Sequence, residues 1–244
     1  MISVCMATYN GEKYIKEQLE SILKQIGPED EVILSDDGSK DSTAEVVKSL
    51  NDKRIKFVYN QGTHGFTHNF ENALRLAKGD YIFLSDQDDI WLDNKVEVMM
   101  RYLKDYTFVT SDCITINENL EVIQQSRFKE FDMKPGFIRH LIKSRFLGCC
   151  MAFKRELLIA ALPFPKDDFL VEHDIWLAAI AFLYFDAKLI EEPLIHYRRH
   201  GNNASEGGFT KGYSPWVKLK KRVYRLAKLC GIRKKVKKIK KSME

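Results

Sequence analysis

Asp86-Gln87-Asp88-Asp89 places three carboxylates in four positions, directly after the apolar run Tyr81-Ile82-Phe83-Leu84 and Ser85. Carboxylates a few ångström apart raise one another's pKa unless a cation, a basic side chain or water relieves them. Hard oxygen ligands select Mg2+ or Mn2+, ions that keep open positions for substrate phosphates. The competing reading is a solvated loop whose Asp89 caps a helix beginning near Trp91. A second acidic loop, Ser35-Asp36-Asp37-Gly38-Ser39-Lys40-Asp41, also follows an apolar run. It reads either as a turn with Asp41 or Ser42 capping the next helix, or as a strand-end carboxylate that accepts hydrogen bonds from a nucleotide's base or ribose. The segment has neither G-x-G-x-x-G nor G-K-[ST], which speaks against dinucleotide and P-loop binding.

The elements that must hold these loops alternate along the chain. Runs at 2–7, 31–35, 55–59, 81–85 and 108–111 have the length and composition of buried strands. Between them Ile15, Leu19, Ile22 and Leu23 share one helical face, and Phe66, Phe70, Ala73, Leu74 and Ala77 share another. Alternating strand and helix implies right-handed crossovers and a mostly parallel sheet covered on both faces. Such sheets bind ligands at the carboxyl ends of their strands, where Thr8-Tyr9-Asn10, Asp36 to Ser39, Asn60-Gln61-Gly62 and Asp86 to Asp89 all fall. Beyond residue 112 the pattern becomes a hairpin over 114–123, a short helix from Lys134-Pro135-Gly136 through Ile142, a strand over 147–153, a helix over 172–185 and a return strand over 187–197.

The 244 residues suffice for one large α/β domain. No stretch approaches the ~18 to 20 consecutive apolar residues of a membrane span. The N-terminus shows no basic region or cleavage site, so a cytoplasmic location is expected. Five cysteines without C-x-x-C spacing indicate reduced thiols rather than disulfides or zinc. The net charge of +5 hides an asymmetry: 13 Lys and Arg against one acid from Trp216 onward, and a net of −7 before it. In that tail Trp216, Leu219, Val223, Leu226 and Cys230 step by three and four between basic residues. Three readings follow: a membrane-surface helix over 216–244, a nucleic-acid patch, or a helix packed on the body. The acidic body disfavours nucleic acid, and the basic residues of the tail favour an anionic membrane surface.

In this order and spacing, Ala7-Thr8-Tyr9-Asn10-Gly11, Asp36-Asp37-Gly38-Ser39, Asp80-Tyr81 and Asp86-Gln87-Asp88-Asp89 resemble the family 2 glycosyltransferases, and within them the bacterial rhamnosyltransferase-like members. Further matches are Gly148-Cys149-Cys150-Met151, His173-Asp174-Ile175-Trp176-Leu177-Ala178 and Tyr197-Arg198-Arg199-His200-Gly201-Asn202-Asn203. The resemblance covers residues 1 to about 205. It implies a single GT-A type Rossmann-like α/β domain, with a nucleotide-sugar half (1–112) and an acceptor half (113–205), followed by a basic amphipathic tail (206–244). The implied reaction is inverting transfer from a nucleoside diphosphate sugar to a saccharide or lipid-linked saccharide, in cell-surface polysaccharide assembly at the inner face of the membrane.

Carried over by position, the resemblance assigns Thr8, Tyr9, Asn10, Asp36, Asp37 and Asp86 to the nucleotide, and Asp88, His200 and Asp86 to Mg2+ or Mn2+. Asp89 is left to support or capping. The diphosphate and acceptor fall to Arg198, Arg199, Gly148, Glu172, His173 and Trp176, and the general base to Asp174. Without the resemblance, His200 is an exposed loop histidine and Asp174 a first-turn acid favoured by the helix dipole. His173 stands where many relatives carry Glu, which bears on the acceptor. Two other classes fit part of the pattern: a metal-dependent nucleotidyltransferase, although residues 8–12 lack a Gly-rich basic phosphate loop, and a non-catalytic sugar- or lipid-binding module.

Overall fold

The computed structural model describes residues 1–201, 203 and 213–242; the expected boundary at 205/206 lies outside the described residues. In chain order the elements are β1 (Ile2–Thr8), α1 (Ile15–Leu23), β2 (Glu31–Asp36), α2 (Thr43–Ser49), β3 (Ile55–Tyr59), α3 (Phe66–Leu76), β4 (Tyr81–Ser85), β5 (Ile90–Trp91) and α4 (Lys95–Leu103). Then follow β6 (Phe108–Ile116), β7 (Val122–Gln124), α5 (Arg127–Glu130), α6 (Phe137–Ile142), β8 (Met151–Lys154), α7 (Arg155–Ala161), α8 (His173–Tyr184), β9 (Ala187–Arg198) and α9 (Pro215–Lys241).

One sheet runs in the order β3-β2-β1-β4-β8-β6-β9-β5, with β7 paired to β6. β1, β2, β3 and β4 pair in parallel, as do β6 and β9. β8 lies antiparallel between β4 and β6, so β6 and β9 run the same way as the first four strands and the sheet is mostly parallel. After β3 the chain returns to the other side of β1 to form β4. The crevice outside the carboxyl ends of β1 and β4 is therefore the switch point at which such sheets bind ligands.

Strand side chains alternate between two apolar layers. Val4, Met6, Val32, Leu34 and Phe83 pack with Leu19 and Ile22 of α1 and Met99 and Leu103 of α4. Cys5, Ile33, Ile82 and Leu84 face the opposite layer, with Phe70 and Leu74 of α3, Trp176 and Ile180 of α8, and Leu229 and Val236 of α9.

Two local expectations are corrected. No helix starts near Trp91: Ile90 and Trp91 form a short strand on β9, and α4 begins at Lys95. Asp89 therefore caps nothing, and its carboxylate instead accepts the Arg198 N–H at 2.9 Å. The strand expected over 147–153 starts only at Met151, because Gly148–Cys150 is a 3-10 turn whose Cys149 carbonyl accepts from Lys95 Nζ at 2.7 Å.

The tail forms α9, started by Pro215 and by Ser214 Oγ, which accepts the Val217 N–H. Its expected apolar stripe faces outward: Trp216 is 80% exposed, and Leu219, Val223, Leu226 and Cys230 are exposed too. The buried side is Lys221, Arg225, Leu229 and Val236, with Tyr224, Ile232 and Ile239 packed on the core. Tyr184 Oη donates to the Leu229 carbonyl at 2.8 Å, and Arg222 donates to the Ile142 carbonyl at 2.8 Å. α9 is thus packed on the body along one side and bare along the other. Among the described residues no helix is long and apolar enough to cross a membrane.

Candidate active site

A cavity of about 680 Å3 opens at the switch point, with the first turn of α8 on its far wall. On its β2 side lies Asp37. Asp37 Oδ1 accepts from Asn60 Nδ2 at 2.8 Å, and Oδ2 accepts the Gly65 N–H at 2.7 Å. Gly65 has φ +116, a conformation that favours glycine, so the backbone donor is presented without a side chain in the way. His64 Nδ1 stands 3.0 Å from Asp37 Oδ1. Thr8 and Tyr9 also line the cavity. The Gln87 amide clasps Tyr9, accepting its N–H and donating to its carbonyl, each at 3.0 Å, and this ties the β1 and β4 loops together.

Asp36 and Asn10 are corrected as nucleotide contacts. Asp36 is buried and saturated: Oδ1 accepts from Gly38 N and Ser39 N at 3.0 and 2.9 Å, and Oδ2 from Thr8 Oγ1 and Ser39 Oγ at 3.0 and 2.5 Å. Asn10 lies outside the cavity lining; its Oδ1 accepts the Lys40 N–H at 2.8 Å and its own N–H donates to Ser39 Oγ. Both shape the loop that presents Asp37.

At the centre, Asp88 Oδ2 lies 2.7 Å from His200 Nε2 and accepts from Asn203 Nδ2 at 3.2 Å. Asp86 lines the cavity beside it, its carboxyl pushed up to about 7 by burial and by the charge of Asp88. Asp89 is fully buried and raised well above the usual carboxylate range by burial and by both neighbours. Its Oδ2 has no hydrogen-bond partner. Asp86, Asp89 and Cys149 bring ligand atoms within 4.8 Å of one another. Lys95 sits beneath, buried, with its ammonium 4.8 Å from the Trp91 ring centroid. The raised Asp86 carboxyl beside Asp88, with hard oxygens and the His200 imidazole, is a donor set that fits Mg2+ or Mn2+.

The two arginines do not enter this cleft. Arg198 is 3% exposed, donating from Nε to the Asp88 carbonyl at 2.9 Å and from Nη2 to Glu17 Oε2 at 2.5 Å, so it buttresses the acidic loop from behind. Arg199 lines a separate cavity of about 870 Å3 with Thr115, Gln124 and Lys129. Its link to the cleft is Tyr197 Oη, 3.4 Å from Arg199 Nη1.

On the far wall, Asp174 is half-buried in the first turn of α8, with Oδ1 accepting the Ile175 N–H at 2.6 Å. Burial and then the neighbouring Glu172 push its carboxyl up to about 8. His173 is 6% exposed and stacks on Phe70 at 4.1 Å between centroids; neither ring nitrogen has a partner, and burial lowers its pKa to about 3. Gly148 lies so close that a Cβ there would stand 2.7 Å from His173 Nε2. Trp176 is corrected: it is 1% exposed and donates from Nε1 to the Ala161 carbonyl at 3.0 Å, one turn further along α8 and inside the core.

Asn69, Asn203 and Gln87 are among the lining residues to which sequence reasoning assigned no role. Asn69 is 2% exposed and donates to the Thr8 carbonyl at 3.1 Å, and its buried Oδ1 has no hydrogen-bond partner among the described residues. Its signal was a polar residue inside the apolar face of Phe66, Phe70 and Ala73. Asn203 closes the motif that contains His200, and Gln87 lies between the acids it positions.

Residues 3–161 match the family model described as Glycosyl transferase family 2. The dTDP-rhamnosyl transferase RfbG of Shigella flexneri is 30% identical over 221 residues, 81% of this chain and 72% of its own length. The UDP-Glc:alpha-D-GlcNAc-diphosphoundecaprenol beta-1,3-glucosyltransferase WfgD of Escherichia coli is 29% identical over 174 residues, 69% of this chain and 67% of its own length. Among solved structures, S. aureus TarS 1-349 in complex with UDP-GlcNAc shares the fold with TM-score 0.68 at 20% identity, covering 86% of this chain and 61% of that chain. The chain thus spans between about three fifths and three quarters of the length of these relatives.

Proposed function

The chain belongs to glycosyl transferase family 2, and from that membership we propose that it moves a sugar from a nucleoside diphosphate donor to a hydroxyl of a saccharide acceptor, with inversion. The observation that carries this reading is one cleft with three parts: the fixed Asp37 carboxylate, the Asp88–His200 pair, and the raised Asp174 carboxyl opposite. Asp37 accepts hydrogen bonds from the donor's nucleoside. Asp88 and His200, with Asp86 beside them, would hold a divalent cation, which would supply positive charge beside the leaving diphosphate.

Asp174 accepts the proton of the acceptor hydroxyl as its oxygen bonds to C1 and the C1–O bond to the diphosphate breaks. Attack from the side away from the leaving group needs no protein nucleophile, and the anomeric configuration inverts. Glu172, His173 and Gly148 form the acceptor wall. Asp174→Asn keeps nucleoside diphosphate affinity while transfer falls by ~10²-fold or more; near wild-type transfer by that variant would remove Asp174 as the base.

The acceptor is inferred to be lipid-linked, as in the name of WfgD, in cell-surface polysaccharide assembly. The bare face of α9, with Trp216, Leu219 and Val223 among many lysines and arginines, suits the surface of an anionic membrane on the cytoplasmic side.

A further inference from the structure

We propose that α9 is part of the acceptor half of the active site, with Arg225 and Lys221 as positioning residues that hold Asp174 and Glu172. The proposal rests on the reading of Asp174 as the base. The placement of charge on α9 motivates it. Toward its C-terminal end the buried face is apolar, with Leu229, Ile232 and Val236. Nearer the N-terminal end, the same face instead buries two cations: Lys221 is 8% exposed and Arg225 5%. Cations are buried in proteins only where charge or hydrogen bonds compensate them. For Lys221 the compensating charge is Glu172, one of the acids that open α8.

Lys221 Nζ lies 3.9 Å from Glu172 Oε1 and is sheltered by the rings of Tyr213 and Phe169, at 4.1 and 4.7 Å from their centroids. Arg225 Nη1 reaches the His140 carbonyl at 3.5 Å, while its Nε is buried without a partner. Arg225 opposes the burial that raises the carboxyls of Asp174 and Glu172, and those carboxyls oppose the burial that lowers Arg225. A mechanical path runs alongside. His140 Nε2 lies 3.0 Å from the Ile175 carbonyl, and the Ile175 N–H is the group that fixes Asp174 Oδ1. Neither cation lines the cleft, so both act through the carboxylates.

The test uses the full chain with Arg225→Gln, Arg225→Lys and Asp174→Asn. UDP release from UDP-glucose with Mn2+ gives kcat, and calorimetry with UDP and Mn2+ gives donor-side affinity. Arg225→Gln is expected to lower kcat by ~10-fold or more with UDP affinity within about twofold, and Arg225→Lys to restore most of it. A substrate-free arm measures melting temperatures. Above pH 8, where Asp174 is ionised, Arg225→Gln combined with Asp174→Asn should lose several degrees less than the sum of the single losses, as coupled charges do. This arm decides the matter where UDP-glucose is not turned over, and Lys221→Gln with Glu172→Gln supplies the same cycle where Arg225→Gln does not fold. Additive losses, or a fall in kcat matched by the fall in UDP affinity and not rescued by Lys, overturn the proposal. Wild-type kcat in Arg225→Gln beside an inactive Asp174→Asn sinks this inference alone; an active Asp174→Asn sinks the reading beneath it.

Discussion

Asp174 works as a base only when ionised, and burial together with Glu172 sets its pKa at about 8. Its protonated form therefore dominates at neutral pH, and transfer should rise as pH increases through about 8 rather than through the ordinary carboxylate range. Glu172→Gln removes the largest neighbouring charge that raises Asp174, so the acidic limb of the kcat profile should move to lower pH; an unmoved limb would mean that another group titrates there. Gly148 offers a steric probe of the same wall. A Cβ at this position would stand 2.7 Å from His173 Nε2 and 3.6 Å from Asp174 Cβ. His173 is pinned on Phe70 and can yield little, so Gly148→Ala should push the wall into the cleft and lower kcat/KM by ~10-fold or more while UDP binding persists. Motif spacing named Asp36 and Asp37 alike. Only the hydrogen bonds separate them, because Asp36 spends both oxygens on its own loop while Asp37 faces the cavity.

At the scale of elements, β1 and β4 must run side by side for their loops to meet, and Gly79, just before β4, packs on the backbone at the start of β1. A Cβ there would lie 2.6 Å from Ser3 N and 2.8 Å from the Met1 carbonyl oxygen, both backbone atoms that cannot turn aside. Gly79→Ala should therefore destabilise the fold by ~1–3 kcal/mol, read as a lower denaturation midpoint, and an unchanged midpoint would show that β1 can shift freely. The parallel strands of the first half were legible because buried strands read as short apolar runs and their helices carry a regular stripe. The hairpin over 114–123 was legible too, through Asn117, whose Oδ1 accepts from Asn119 N and Glu121 N. Distant partners were not legible. β5 exists because Ile90 and Trp91 meet His196 and Ile195, over 100 residues away. Gly148–Cys150 leaves the extended conformation, with Lys95 taking the Cys149 carbonyl. Arg198 looked like a phosphate ligand until Glu17 and the Asp88 carbonyl were seen to hold its guanidinium.

For the whole molecule, the stripe of Trp216, Leu219, Val223 and Leu226 lies on the face of α9 that the body leaves bare. Helical spacing shows that two faces differ, not which one meets the body, and α9 docks through the face that carries Lys221, Arg225, Leu229 and Val236. Removing the helix would uncover Leu229 and Val236 and disturb the body, so truncation cannot isolate membrane binding. Replacing Trp216, Leu219, Val223 and Leu226 together by Ser changes exposed positions only. That variant should melt within a few degrees of the wild type, since surface substitutions away from buried features change stability little. Flotation should show the wild type on vesicles containing anionic lipid, with binding falling as salt rises, because each basic residue near the surface contributes about 1 kcal/mol and is screened. The Ser variant should float poorly even at low salt, since the lysines alone cannot replace the buried apolar contact. Equal flotation of the two proteins would show that the outer face is simply solvated. Loss of flotation with the fold intact would place one helix between the bilayer and the carboxylates at Glu172 and Asp174, so that the acceptor wall faces the surface from which a lipid-linked saccharide arrives.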